Sequence, residues 1–299
     1  MCGEFGSDSA CTEPALHLPY SFHPMRLTRQ TVRDSVRFPP APAAWGELPD
    51  ISTIAVADSL EAAGQVLKPN ALRHRASLAI ANRGEAAASA IAFLPGEDGA
   101  LTSFWLQRGD HARRLANTFG LLIAPALSNW WSGTPLDGLI MLSATLGYAA
   151  YLARLAPTIP TLLWRTGQDI HRMVAWLAPT RPSAICLHLG TVSHGRAWRW
   201  CSVGLRILKG AFLQCNLNPR LLVYGISNIN GMRSIMEIWR GDVTFASSRP
   251  FRLADGGNRL AEDLTWARDR TASKKALRIA NCRAYRKAAE LTAVGLVDR

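Results

Sequence analysis

The sequence predicts an α/β fold, a parallel-stranded barrel or partial (β/α)8-like barrel, with an irregular N-terminus and a basic C-terminal helix. Three observations carry that prediction. Five apolar runs recur from residue 120 onward: "GLLIAPAL" (120–127), "IPTLLW" (159–164), "AICLHLG" (184–190), "RLLVYGIS" (220–227) and "DVTFASS" (242–248). Subtracting their starts gives spacings of 39, 25, 36 and 22 residues, long enough for helical crossovers between parallel strands. The runs are continuously apolar rather than alternating, as expected of strands covered on both faces.

Each run is followed by a Gly-containing or polar turn and then by a helix-compatible stretch, at about 136–155, 169–178, 193–210 and 229–238. "TPLD" (134–137) opens the first helix, with Thr at the cap, Pro at the first helical position and Asp137 at the third. Asp169 precedes "IHRMVAWL", whose Ile170, Met173, Val174 and Leu177 recur at helical spacing. Residues 1–50 are expected to be an irregular segment ending in the extended Pro-rich connector "RFPPAPAAWGELPD", and residues 51–255 the α/β domain. Within 51–119, "ISTIAVAD" reads as a strand, "ALRHRASLAIANRGEAAA" as a helix, and "SAIAFLPGEDGALTSFWL" as two strands about a Gly-Glu-Asp-Gly turn. Residues 256–299 form the basic helical extension. There Leu277, Ala280, Ala284, Ala288 and Leu291 make one stripe, with Lys274, Lys275, Arg278, Arg283 and Arg286 off it.

At 299 residues, with 48% hydrophobic and 19% charged residues, the chain can build a core and is not mainly disordered. A net charge of +12 fits a polyanionic partner, DNA or RNA, or else a general excess of Arg with no binding role. The six cysteines are widely spaced with no C-x-x-C, so no metal site is expected. "MCGEFGSDSACTEP" shows no basic region followed by an apolar run, which together with the thiols predicts a cytoplasmic protein. Residues 115–153 carry a single charge, Asp137, but Pro125, Asn129, Gly133 and Pro135 interrupt them, so no membrane span is expected.

In parallel α/β folds, ligands gather past the carboxyl ends of the strands. The residues there are Ser128, Asn129, Trp130, Trp164, Arg165, Asp169, His188, Tyr224, Gly225, Asn228 and Arg249. Asp169 reads either as a cap or first-turn acid of its helix or as a catalytic carboxylate. His188, with apolar neighbours in "CLHLG", reads as a core histidine or a general base. Trp130 and Trp131 read as residues that stack a base or as packing residues, with at least one of the pair in the core, and Trp164 as a second base-stacking wall. His194 and Arg196 follow the third run in a turn that could face a phosphate. "YGISNING" (224–231) offers backbone N–H groups to an anion but is neither a P-loop nor a dinucleotide fingerprint. On the last helix, Lys274, Lys275, Arg278, Arg283 and Arg286 read as nucleic-acid backbone contacts or as a solvated face.

In order, "LLIAPALSNW", "IPTLLW", "AICLHLGT" and "NPRLLVYGIS" resemble the motifs "TPDFSLY", "VIPTVSW", "VAISTVG" and "KPKKIIVYG" of a bacterial and phage family of unknown function. More distantly, they resemble the barrel of the tRNA-guanine transglycosylase superfamily, which includes the phage DNA-deazaguanine transglycosylases. The resemblance covers about residues 100–250. Pro125, Ser128, Trp164, Tyr224 and Gly225 match, whereas Ala126 stands where the first motif has Asp. The resemblance implies a nucleic-acid base-modification enzyme without a cofactor, exchanging guanine for a deazaguanine-type base. Such exchange needs a carboxylate nucleophile at C1′, an acid or base for the departing and arriving purines, and a flipped nucleotide. Asp169 and His188 are the candidates for the chemistry, and Arg165 and Arg249 for holding phosphate. The zinc-binding cysteine cluster of the transglycosylases is absent. Two other readings stand beside this one: a non-catalytic nucleic-acid-binding or scaffold protein of a phage or mobile element, and an enzyme of a phosphorylated small molecule.

Overall fold

The computed structural model describes residues 38–45, 91–93, 112–113, 116–117, 121–127, 135–189, 195–226, 228–247 and 249–297. All five apolar runs contain strands. They give β2 (Leu121–Ile123), β3 (Thr158–Ile159) and β4 (Thr161–Leu162), β5 (Ala184–His188), β6 (Arg220–Tyr224) and β7 (Val243–Ala246), preceded by β1 (Ile91–Phe93). Every pairing among these seven is parallel. Spatial order follows chain order, β1-β2-β3 in one sheet and β4-β5-β6-β7 in the next. The second run is split at Pro160, which has no N–H for a ladder. Its carbonyl nevertheless accepts the Cys186 N–H at 2.9 Å, so the two sheets meet along a single chain segment.

The crossovers are α1 (Pro135–Leu152), α2 (Gly167–Leu177), α3 (Gly195–Gln214) and α4 (Ile229–Trp239), close to the expected ranges. All four pack on one face of the sheet. Leu122, Leu162, Ile185, Leu187, Leu221 and Val223 meet Leu146, Met173, Leu208, Phe212, Ile235 and Trp239 there in one core. Within it, Phe212 and Trp239 are fully buried and meet edge to face at 6.3 Å, a geometry worth about 0.5–1.5 kcal/mol beyond area burial. The alternate residues Leu121, Ile123, Ile159, Ala184, Cys186, Leu222, Tyr224 and Ala246 form a second buried cluster on the other face. Burial on both faces accounts for the uninterrupted apolar runs. The described strands do not close into a ring.

Beyond β7 come α5 (Arg249–Asp255), an antiparallel hairpin of β8 (Asn258–Leu260) and β9 (Trp266–Arg268), and the long α6 (Lys274–Val297). α6 packs on α4, α5 and β8. Its buried stripe runs through Leu277, Asn281, Ala284, Tyr285, Ala288 and Thr292. This corrects the predicted stripe: Leu291 is 49% exposed, and the inward line includes two polar residues and a tyrosine. The Pro-rich stretch also differs from a plain connector. Residues 38–45 lie against α2, where Trp176 Nε1–H donates to the Pro39 carbonyl at 2.6 Å and Trp45 Nε1–H to Thr180 Oγ1 at 2.9 Å. Of the elements predicted within 51–119, only Ile91–Phe93 lies in the described residues. Among those residues no helix is long and apolar enough to cross a membrane.

Candidate functional site at the strand carboxyl ends

The ends of β5, β6 and β7 bring three of the expected residues together. His188 is the last residue of β5 and sits in register beside Tyr224, the last of β6, with ring centroids 5.2 Å apart. Both point to the face away from the helices, by the alternation that puts Cys186 and Leu222 there. Tyr224 is buried, whereas the His188 side chain is exposed. The imidazole is reached by solvent yet recessed among protein atoms, and that desolvation lowers its pKa to about 4. At neutral pH it is therefore an uncharged ring, able to accept a proton at one nitrogen and donate at the other.

After β6 the chain turns at Gly225, whose φ of 94° belongs to the left-handed region that favours glycine. The Gly225 N–H donates to the Ala246 carbonyl at 2.8 Å, carrying the β6–β7 pairing one step further. Next, the Ile226 carbonyl accepts the Tyr285 hydroxyl at 2.8 Å. Tyr285 thus reaches from α6 to the strand ends. Burial pushes its pKa well above the ordinary tyrosine value, against a hydrogen bond with Ser247; Tyr224 raises it further, and the Arg249 charge opposes that. Ser247 Oγ in turn accepts the Arg249 N–H at 3.1 Å. His188, Tyr224, Ser247, Arg249 and Tyr285 therefore surround one end of the sheet.

Ser247 and Tyr285 were not among the residues expected here. Ser247 lies within the fifth apolar run, and Tyr285 belongs to a helix read for its charges. The signal for Tyr285 was its place four residues after Asn281 and eight after Leu277, on the buried stripe.

Asn228 is the N-cap of α4, and its Oδ1 accepts the Gly231 N–H at 2.6 Å. Its Nδ2 is buried and has no hydrogen-bond partner among the described residues. A side chain on Gly231 would meet Ile226 at 2.9 Å and Asn228 Oδ1 at 3.0 Å, so the close turn of "YGISNING" needs that glycine.

Asp169 lies at the same end of the sheet but is turned into its own helix. Thr166 is the N-cap of α2 and Asp169 the third residue, and the two form a reciprocal capping box. Asp169 Oδ2 accepts the N–H of Thr166 at 2.8 Å and of Arg165 at 3.1 Å, and the residue is 6% exposed. The first-turn reading is the one observed. Arg165 is half-buried in the same turn, its carbonyl accepting Trp200 Nε1–H at 3.4 Å.

Trp164 is a correction to the base-stacking expectation. It points to the helix side, 3% exposed, tilted against Trp200 at 5.8 Å and pressed on Gly204 of α3. Neither face of its indole is open to a base.

Ser128, Asn129, Trp130, Trp131 and His194 lie outside the described residues, as does the Arg196 side chain. On α6, Lys274, Lys275, Arg283 and Arg286 are exposed, while Arg278 forms an ion pair with Asp255 at 2.6 Å. Cys186 and Cys201 are buried thiols whose pKa values are pushed up to about 12 by burial, a poor setting for nucleophiles. Among the described residues, no three of His, Cys, Asp and Glu converge to hold a metal ion. In comparisons with protein families, with curated proteins and with solved structures, nothing matches this chain.

Proposed function

We propose that the protein binds nucleic acid, with a barrel-like parallel sheet as scaffold and the strand-end cluster as the place where a base or phosphate is received. The observation that carries this reading is the composition of α6. It has six basic residues and one acid, Glu290, and Lys274, Lys275, Arg283, Arg286 and Lys287 are exposed. The same helix delivers Tyr285 to the strand ends. A cationic surface and a polar, partly aromatic cluster thus meet on one helix, an arrangement suited to holding a backbone near the strand ends. The barrel-like reading is supported by the chain-ordered strands and the helices gathered on one face.

Base exchange of the transglycosylase kind is the enzymatic form of this function. Asp169 is 6% exposed and its Oδ2 is held by two backbone N–H groups at the start of α2, so binding without exchange is the form the geometry favours. Neutral His188 is the better-placed group for proton transfer.

The test is fluorescence anisotropy with single-stranded and duplex oligonucleotides at two salt concentrations. Binding should weaken steeply with salt, and a variant carrying Lys274→Glu, Lys275→Glu, Arg283→Glu and Arg286→Glu should lose most of it. Affinity indifferent to salt and to those changes would remove nucleic acid as the ligand. Nucleoside mass spectrometry on DNA and RNA from cells expressing the protein, with a deazaguanine precursor supplied, separates exchange from binding alone.

A further inference from the structure

The β8–β9 hairpin carries a half-exposed aromatic residue, Trp266, directly across the ladder from the buried Leu260. Trp266 is 53% exposed, the one aromatic among the exposed large hydrophobic side chains of the described residues. All three residues of β9 face solvent. Trp266 and Arg268 share a face of the ribbon, because side chains two apart on a strand point the same way. Arg270, Lys274 and Lys275 follow within the next seven residues, all exposed.

The ribbon is firmly held. Leu260 and Leu264 are buried in the main core at 4% and 5% exposure. Asn281 of α6, fully buried, accepts the Leu260 N–H at 2.7 Å and donates to the carbonyls of Asn258 and Pro250, each at 3.0 Å. An indole held half in water on such a ribbon keeps apolar surface open, and a flat ligand stacked on it would cover that surface.

The surrounding charges select the ligand. Asp269 is occupied by Arg259 at 2.8 Å and by its own turn, where it accepts from Thr271 and Ala272. Asp263 is likewise engaged by the N–H and hydroxyl of Thr265. Glu262 is the remaining exposed acid, at the hairpin tip. By contrast, Arg268, Arg270, Lys274 and Lys275 have no ion-pair partner among the described residues.

We infer that the Trp266 face of the hairpin is a single-stranded nucleic-acid platform, with one base stacked on the indole and flanking phosphates held by Arg268, Arg270, Lys274 and Lys275. Stacking on an aromatic with cationic flanks is the general chemistry of unpaired strands, because a duplex keeps its base faces covered. The inference rests on the nucleic-acid reading above and adds the strand state and the contact residue.

The full-length protein is titrated with a fluorescent oligo(dT) and with a duplex of equal length, as wild type, Trp266→Ala, Trp266→Phe and Arg268→Glu/Arg270→Glu. Trp266→Ala should weaken single-strand binding roughly tenfold and duplex binding less than twofold, while Trp266→Phe restores most of the loss. The double Glu variant should weaken both and flatten the salt dependence. Single-strand affinity unchanged in Trp266→Ala, with wild-type binding intact, overturns the platform and leaves the parent reading standing. Wild type that binds neither oligonucleotide overturns the parent reading itself. Binding to phosphatidylserine vesicles that depends on Trp266, without oligonucleotide binding, would assign the face to a membrane surface and also overturn the proposal.

Discussion

Thr166 and Asp169 cap each other: the Thr166 hydroxyl oxygen accepts the Asp169 N–H at 3.2 Å while the Asp169 carboxylate accepts the Thr166 N–H at 2.8 Å. Removing either partner should cost about 1 kcal/mol, read as a lower urea midpoint with unchanged slope. Since both bonds belong to one box, the Thr166→Ala/Asp169→Ala double variant should lose less than the sum. Oligonucleotide affinity of Asp169→Asn should stay within twofold of wild type; a larger loss would return Asp169 to the binding site.

Two glycines of α3 should respond oppositely to the same change. A Cβ on Gly204 would lie 2.0 Å from Trp164 Nε1, whereas one on Gly210 meets nothing within 4 Å. Gly204→Ala forces the indole aside in a full core and should destabilise by about 1–3 kcal/mol. Gly210→Ala removes only the helix penalty of glycine and should stabilise by up to about 1 kcal/mol. Thermal unfolding of the pair checks both signs.

Asn281 holds three elements at one point. Asn281→Leu would leave the Leu260 N–H and the Pro250 carbonyl buried without that partner and free the half-buried Asn258 carbonyl, at a cost of about 2 kcal/mol. Amide hydrogen exchange should then rise first in β8 and β9, since that clip fastens the hairpin to α6. Uniform loss of protection across the chain would argue against this local role.

His188 makes stability depend on pH in a set direction. Its pKa is lowered from 6.5 to about 4 by desolvation, so between those values the unfolded chain takes up a proton that the folded one does not. The His188 contribution is therefore intact above pH 6.5 and lost as pH falls toward 4. His188→Gln should flatten the stability profile in that window. An imidazole NMR resonance titrating near 6.5 would contradict the recessed environment.

The strands were legible because both sheet faces are covered, which writes each one as an unbroken apolar run. The hairpin at Asn258–Arg268 was not, for the converse reason: "NRL" and "WAR" bury only Leu260, and residues 256–299 are expected as one basic helical extension. Trp164 follows Leu162 at strand spacing onto the helix side, a direction that a run apolar on both faces does not reveal. His188 is expected among the strand-end residues, but whether its ring joins the core or opens to solvent depends on where β5 stops. Tyr285 and Ser247 approach the site across long stretches of chain, and helix periodicity reports an inward side without naming what it meets.

The segment 38–45 has a consequence for how the chain is handled. Besides the hydrogen bonds that tie it to Trp176 and Thr180, its Trp45 carbonyl accepts the Thr158 N–H at 3.0 Å, at the start of β3. Shortened forms that begin after residue 45 would open that backbone donor and uncover the apolar surface around Trp176. A Pro-containing strap that offers a carbonyl but little ladder of its own is a natural guard for such a place, because it ends pairing instead of inviting more. Self-association in those shortened forms would thus report the missing strap rather than a native oligomer.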